Sequence, residues 1–161
     1  MVLHHRPATG ADLAVICSFP QSEDELYYFF PKADYPLTIA QLQQAVAQRT
    51  DATVVEQAGE VVAFANFYQW AQGGCCAIGN VVVAPSARRS GVGRYLISCM
   101  VDLALSKHQA SEVRVSCFNH NTAALLLYAH LGFVPDAIEA RQDKQGRDVA
   151  LLHLRLLRPA P

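Results

Sequence analysis

The sequence predicts a mixed α/β (α+β) fold, a mainly antiparallel central sheet flanked by helices, in a single domain over residues 1–161. Three observations predict it. Two hairpins follow one another between residues 52 and 84, reversed at Gly59 and at Gly73-Gly74, which makes an antiparallel meander. Behind them, apolar residues recur at helical intervals in two segments that each lead into a further strand, as crossover helices over a sheet do. A chain of 161 residues that is 52% hydrophobic and 17% charged is long enough to bury one core and too apolar to stay disordered.

The elements follow in order. Val2–Arg6 reads as a short strand ended by Pro7. Thr9 with Asp12 three residues on has the spacing of a capping box, so a helix is expected from Gly10 to about Phe19. Residues 20–37 hold prolines at 20, 31 and 36 and an aromatic cluster, Tyr27, Tyr28, Phe29, Phe30 and Tyr35. Thr38 caps a second helix running to about Arg49, with Ile39, Leu42, Ala45 and Val46 at helical spacing. Strands are expected at Ala52–Glu56, Val61–Trp70 and Cys75–Ala84. Val92, Leu96, Cys99, Met100 and Leu103 predict a helix from Gly91 to about Lys107. Val113, Val115 and Cys117 alternate as a strand, and Asn121 opens a helix with Ala124, Leu127, Tyr128 and Leu131 on one stripe, closed by Gly132. Phe133–Ile138 and Val149–Leu156 end the chain as strands around the turn at 144–147. The predicted order is β-α-α-β-β-β-α-β-α-β-β.

The net charge of −1 makes any basic surface local and argues against a general nucleic-acid binder. Five cysteines, at 17, 75, 76, 99 and 117, form no C-x-x-C pair and leave one over, which suits a reducing compartment. No charged-then-apolar leader opens the chain, and no run of eighteen apolar residues occurs in it. The expectation is a cytoplasmic protein without membrane or nucleic-acid partners. The six histidines show no ligand spacing, so no metal is expected.

The densest chemical signal is Val81-Val82-Val83-Ala84-Pro85-Ser86-Ala87-Arg88-Arg89-Ser90-Gly91-Val92-Gly93. A buried-type strand stops at a proline, turns through a basic stretch and opens a helix on glycines. Glycines leave backbone N–H groups uncovered at a helix start, and Arg88, Arg89 and Arg94 surround that point with positive charge. The segment reads as a cradle for a phosphate or diphosphate. It is not the dinucleotide fingerprint, because Leu96 stands where the third small residue belongs, and the chain has no Gly-Lys pair for a P-loop.

About thirty residues further on come Asn121, Ala124, Leu127-Tyr128 and Gly132-Phe133. Taken with Arg88-Arg89-Ser90-Gly91-Val92-Gly93, this resembles the GCN5-related N-acetyltransferase (GNAT) superfamily, and the element order fits that fold over nearly the whole chain. The resemblance implies acetyl-CoA as acetyl donor and a primary amine of a small molecule or peptide as acceptor. It implies that the main chain of Val81, Val82 and Val83 meets the pantetheine arm. It places the diphosphate at Arg88, Arg89, Ser90, Gly91, Val92, Gly93 and Arg94. Asn121 would touch the cofactor, cap its own helix, or do both.

Aminolysis of a thioester needs a neutral, positioned amine, a donor for the charge that develops on the acetyl oxygen, and a proton for the departing thiolate. Tyr128, a phenol protonated at neutral pH, is the candidate general acid, against the alternative that it only packs beside Leu127 and Leu131. Many members of the superfamily carry a glutamate on the strand before the glycine turn. Here no Asp or Glu lies between Trp70 and Arg88, and Gly79 and Asn80 hold the corresponding places. The expectation is Asn80 holding a water that relays the proton, with Glu25 as the alternative. An acyl-enzyme on Cys117 is rejected, since nothing near it predicts a lowered thiol pKa. Acceptor binding is assigned to Glu25, Tyr27, Tyr28, Phe30, Asn66 and Tyr68. The competing reading is a non-catalytic acetyl-CoA-binding or interaction module, and the cluster around Tyr27 would equally suit a homodimer surface.

Overall fold

A computed structural model describes residues 2–158. Among these residues, seven strands, β1 (Leu3–Pro7), β2 (Thr50–Gln57), β3 (Glu60–Gln69), β4 (Cys75–Val83), β5 (Glu112–Phe118), β6 (Val134–Gln142) and β7 (Asp148–Leu157), form one sheet in the order β1-β2-β3-β4-β5-β7-β6. The first hairpin joins β2 (Thr50–Gln57) to β3 (Glu60–Gln69). Its two-residue loop has φ +52 at Ala58 and φ +80 at Gly59, both positive as a turn matched to strand twist requires. The second joins β3 to β4 (Cys75–Val83) through the Gly73-Gly74 turn. On the far side of β2, β1 (Leu3–Pro7) is an edge strand, the place where a terminal proline is tolerated. All these pairs are antiparallel, and so are β5 (Glu112–Phe118) with β7 (Asp148–Leu157) and β7 with β6 (Val134–Gln142). Among the described residues only β4 and β5 run parallel, because a helix lies between them in the chain.

The helices depart from expectation in one region. The first is short: one turn of tight helix at Gly10–Asp12, then α1 (Leu13–Cys17). A helix absent from the predicted order, α2, occupies Glu23–Phe29. Its start is encoded locally: the Ser22 hydroxyl accepts from the Glu25 N–H at 3.1 Å, and the Glu25 carboxylate accepts from the Gln21 N–H at 3.1 Å. The prolines that argued for irregular chain stand outside the helix, at 20 and 31. The second predicted helix is α3 (Ile39–Gln48), capped by Thr38, whose hydroxyl accepts from the Gln41 N–H. The crossover helices α4 (Val92–Lys107) and α5 (Thr122–His130) stand where the periodicity put them.

One core runs through the sheet and under α1–α4. Phe64, Leu96, Ile97 and Met100 in it are fully buried. A small second cluster, Tyr27, Phe118 and Leu151, closes the α2 side. The β1 end is tied to the first helix by a two-pronged ion pair: the Arg6 guanidinium donates to both Asp12 carboxylate oxygens at 2.8 Å. The Thr9 N–H adds a third donor at 2.7 Å.

Those donors hold the Asp12 carboxyl down to about 2, from an ordinary 3.8. A carboxylate whose folded pKa is depressed stabilises fully above its ordinary value and loses that contribution as pH falls through the folded value. In urea unfolding, Asp12→Asn is therefore expected to destabilise at neutral pH and to converge on the parent protein as pH falls from 3.8 to about 2. An unchanged gap across that window would contradict the assignment.

Candidate active site

The sheet opens between β4 and β5. Their ladder runs only from Cys75–Glu112 to Ile78–Val115; after that β4 keeps its partner β3 and β5 keeps β7. Immediately past the last rung β4 carries a bulge: Gly79 pairs with Asn66 and Val82 with Phe64, so two residues, Asn80 and Val81, face Ala65 alone. Asn80 takes a left-handed φ of +49 to make it. The separation leaves the β5-facing edge of Val81–Val83 without a strand partner, facing a cavity of about 520 Å³.

The far wall is the start of α4. Arg89 at φ +61 and Gly91 at φ +86 turn the chain so that successive N–H groups lead into the helix, whose first N–H groups have no partner inside it. A side-chain carbon built on Gly91 would meet no atom within 4 Å, so glycine answers the backbone conformation there. Gly93 answers a close approach: a Cβ would come within 3.2 Å of Leu127 Cδ2, so this glycine lets α5 settle against α4. That contact carries Tyr128 to the cavity wall.

Val81, Val82, Val83, Arg88, Arg89, Gly91, Gly93, Arg94, Asn121, Tyr128, Glu25 and Tyr28 all line this one cavity. Ser90 and Val92 do not: the Ser90 hydroxyl donates to the Ala87 carbonyl, and the Val92 side chain lies in the core. Asn121 precedes α5 but makes no capping hydrogen bond, which leaves its side chain available to the cavity. Tyr128 is buried and packs edge-on against Phe133. Burial, with the Cys117 sulfur as a smaller contributor, pushes its phenol well above the usual tyrosine range. Burial also pushes the Cys117 thiol up to about 12, the opposite of what a nucleophile needs. Across the cavity, Glu25 Oε1 accepts from Arg88 Nη2 at 2.8 Å, and that pairing holds its carboxyl below the usual range.

Five further expected site residues lie elsewhere: Tyr27, Phe30, Asn66, Tyr68 and Asn80. Tyr27 stacks on Phe118 at 4.5 Å and donates to the Gln142 carbonyl. Phe30 packs in the core. The side chain of Asn66 is wholly buried, and Tyr68 is exposed on the sheet outside the cavity. Asn80 corrects the water-relay expectation. Its Oδ1 accepts from Asn66 Nδ2 at 2.9 Å and from Arg49 Nη1 at 2.8 Å, and its Nδ2 donates to the Phe29 carbonyl at 3.0 Å. Both ends of the amide are committed to holding the bulge, and Asn80 is not among the cavity-lining residues. The sequence reading gave no site role to Pro20, Phe29, Ala87, Ala123, Ala124 and Leu127, which also line the cavity. Ala123, Ala124 and Leu127 belong to the Asn121 pattern and were legible in it; Phe29 needed the unrecognised helix. A second indentation, of about 30 Å³ between Leu26, Tyr27, Tyr35 and Lys144, holds little more than a water.

The profile of the acetyltransferase (GNAT) family matches residues 18–133, which include β4, the glycine turn, α4 and the Asn121–Phe133 pattern. The chain belongs to this family. No curated protein sequence matches it significantly. Among solved structures it resembles ribosomal-protein-alanine N-acetyltransferase from Brucella melitensis, with TM-score 0.79 and 22% identity over 96% of this chain and 99% of that one. It also resembles a Salmonella typhimurium protein solved with its cofactor acetyl-CoA, with TM-score 0.76 and 22% identity over 100% and 98% of the two chains. A third is spermidine N-acetyltransferase from Vibrio cholerae, in complex with CoA and spermine, with TM-score 0.79 and 18% identity over 96% and 95%. Among the described residues of this acetyltransferase-family chain, no helix is long and apolar enough to cross a membrane. No metal-binding group of three or more His, Cys, Asp or Glu forms there either.

The buried amides at the bulge generate a prediction. Asn80→Ala removes the acceptor for Asn66 and the donor for Phe29 without adding replacements, and buried polar groups left unpaired cost about 1–3 kcal/mol each. Chemical unfolding is expected to show a loss of about 2–4 kcal/mol. A loss within the ±0.5 kcal/mol usual for surface changes would show that the network does not hold this part of the fold.

Proposed function

We propose that the protein transfers the acetyl group of acetyl-CoA to a primary amine of a small molecule or peptide, by direct attack with both substrates bound. One observation carries this reading: the partnerless β4 edge at Val81–Val83, the α4 start at Gly91–Arg94 and Tyr128 line a single cavity. The residues fit the donor. The strand edge offers main-chain groups to an amide-bearing arm, as strand addition does. The α4 N–H groups, with Arg88, Arg89 and Arg94, suit a diphosphate. The donor supplies an acyl group activated as a thioester.

The chain's own groups then have distinct tasks. The N–H of Val81 or Val82 faces the charge developing on the acetyl oxygen and stabilises it without reorganising. Tyr128, kept protonated by burial, supplies the proton that the leaving thiolate needs. Glu25 is the sole carboxylate among the described residues lining the cavity, and it takes the proton from the attacking amine, directly or through a water. Its partner Arg88 lines the cavity beside the proposed diphosphate site, so anion binding there competes with Glu25 for the guanidinium and raises the carboxylate's basicity. These partners are a third exposed, so the ion pair itself is a weak obstacle.

Thiol release from acetyl-CoA against an amine panel, paired with calorimetry of acetyl-CoA binding, tests the proposal. Tyr128→Phe is expected to lower kcat by about 10²–10⁴-fold, the usual weight of general acid catalysis, while acetyl-CoA still binds. Gly91→Val, which forces a β-branched residue to φ +86, is expected to weaken acetyl-CoA binding itself. Because the phenol is raised above its ordinary value of 10.0, Tyr128 adds no descending limb to the kcat–pH profile below that pH. Acetyl-CoA binding without turnover on any amine would instead support a non-catalytic binding module.

A further inference from the structure

Arg49 is a half-buried cation with no counter-charge among the described residues. It follows α3 at the entry to β2, and its guanidinium lies half-buried over β4, where a Cβ on Gly79 would come within 2.8 Å of Nη1. Nη1 donates to Asn80 Oδ1 at 2.8 Å and to Asn66 Oδ1 at 3.3 Å, and the Tyr68 ring lies 5.5 Å from the guanidinium carbon. Every group it touches is neutral. No carboxylate among the described residues comes within 4.0 Å of it; Arg89, Arg94 and Arg158 also lack one, but Arg49 lies half-buried among neutral groups, whereas Arg6, Arg88, Arg114, Arg141, Arg147 and Arg155 each have a carboxylate partner.

A cation withdrawn from water without a counter-charge is destabilising, and burial lowers the pKa of this guanidinium. The donors of Nε and Nη2 have no protein partner among the described residues, yet no buried side-chain nitrogen there lacks one. Those two nitrogens therefore reach solvent, on the side that presents the planar fork a carboxylate matches. Arg49 does not itself line the cavity, but the groups that hold it adjoin residues that do. Asn80, which holds Nη1, immediately precedes Val81 at the cavity, and Phe29, whose carbonyl holds Asn80, lines the cavity too.

Resting on the acetyltransferase reading, we infer that Arg49 binds the carboxylate of the acceptor, so that the acceptor is an amine of the amino-acid class. Only Asn80, at a left-handed φ of +49, separates Gly79 from Val81, so their Cα atoms lie about 5–7 Å apart. That matches an α-amino nitrogen, its carbon and a carboxylate hydrogen-bonded to a guanidinium, together about 6 Å. A single guanidinium among neutral groups suits a monoanion. The same charge disfavours a polyamine. A peptide N-terminus fits less well than a free amino acid, because its first carboxyl is an amide. Tyr68, exposed beside Arg49, gives the acceptor's side chain a surface to lie on. No step of bond making falls to Arg49; it positions the acceptor.

The test compares amino acids with their carboxamides as acceptors, in the parent protein and in Arg49→Met and Arg49→Lys. The parent is expected to favour the carboxylate in kcat/KM by about tenfold to a hundredfold, the worth of a charged hydrogen-bonded pair. In Arg49→Met the ratio is expected to fall to about one, mostly through KM, and Arg49→Lys to restore part of it. An equal ratio in the parent, a higher kcat/KM for polyamines than for any amino acid, or an undiminished ratio in Arg49→Met would each overturn the inference. Side-chain NMR reads it without turnover. N-acetylated amino acids, not their carboxamides, are expected to shift the Arg49 Nε–H resonance in the CoA-bound parent protein; no shift with any carboxylate at millimolar concentration would overturn it. Turnover of other amines with no carboxylate preference would defeat the acceptor inference alone. A carboxylate-dependent shift without turnover on any amine would defeat the catalytic reading and leave the carboxylate site standing.

Discussion

The β4 bulge is the constraint on which the site depends. A flat, fully paired sheet has no room for a substrate between neighbouring strands. Here one extra residue at Asn80 follows just past the last β4–β5 rung at Ile78, and the strands part. A left-handed asparagine and a broken ladder are both unfavourable unless something holds them. What holds them is a chain of side-chain hydrogen bonds linking β3, β4, the end of α2 and the residue after α3, through Asn66, Asn80, the Phe29 carbonyl and Arg49. It fixes the bulge from one face while the strand edge and the cavity open beside it.

Around that opening, charge is distributed unevenly. Toward α4, Arg88, Arg89 and Arg94 and the helix start make one end strongly favourable for anions. Toward α2, Glu25 supplies the only negative group of the described cavity wall. Tyr128 faces the same space from a buried position that keeps it protonated. In the proposed reaction, donor binding, proton removal and proton return would fall to three different helices, α4, α2 and α5, which line one cavity where the sheet parts. A net charge of −1 conceals this arrangement, since it averages over a surface whose local fields differ in sign.

The legibility of each part follows from the range of the interaction behind it. The glycine turn was readable because its chemistry is local: a helix start, two glycines and adjacent arginines lie within seven residues of chain. The α5 pattern was readable for the same reason, and it brought Tyr128 and Asn121 with it. The helix α2 was overlooked although Ser22 and Glu25 carry a local start signal, because the prolines at 20 and 31 spoke for irregular chain; they prove to flank the helix. Asn66 and Tyr68 share a strand face with Phe64, as alternation requires. Alternation is silent on where along that face burial ends, and the core claims Asn66 while Tyr68 stays outside.

By itself, then, the sequence determined the family, the glycine turn and, apart from α2, the strand–helix order, all of which rest on contacts between near neighbours and on the periods of helix and strand. Tertiary structure decided what Asn80 does and what Arg49 faces. Their partners stand 14 to 51 residues away for Asn80, and 17 and 31 residues away for Arg49. No local pattern encodes such a meeting: it exists only once register, bulge and helix packing have brought distant backbone together, and that assembly turned an expected proton relay into a structural tie.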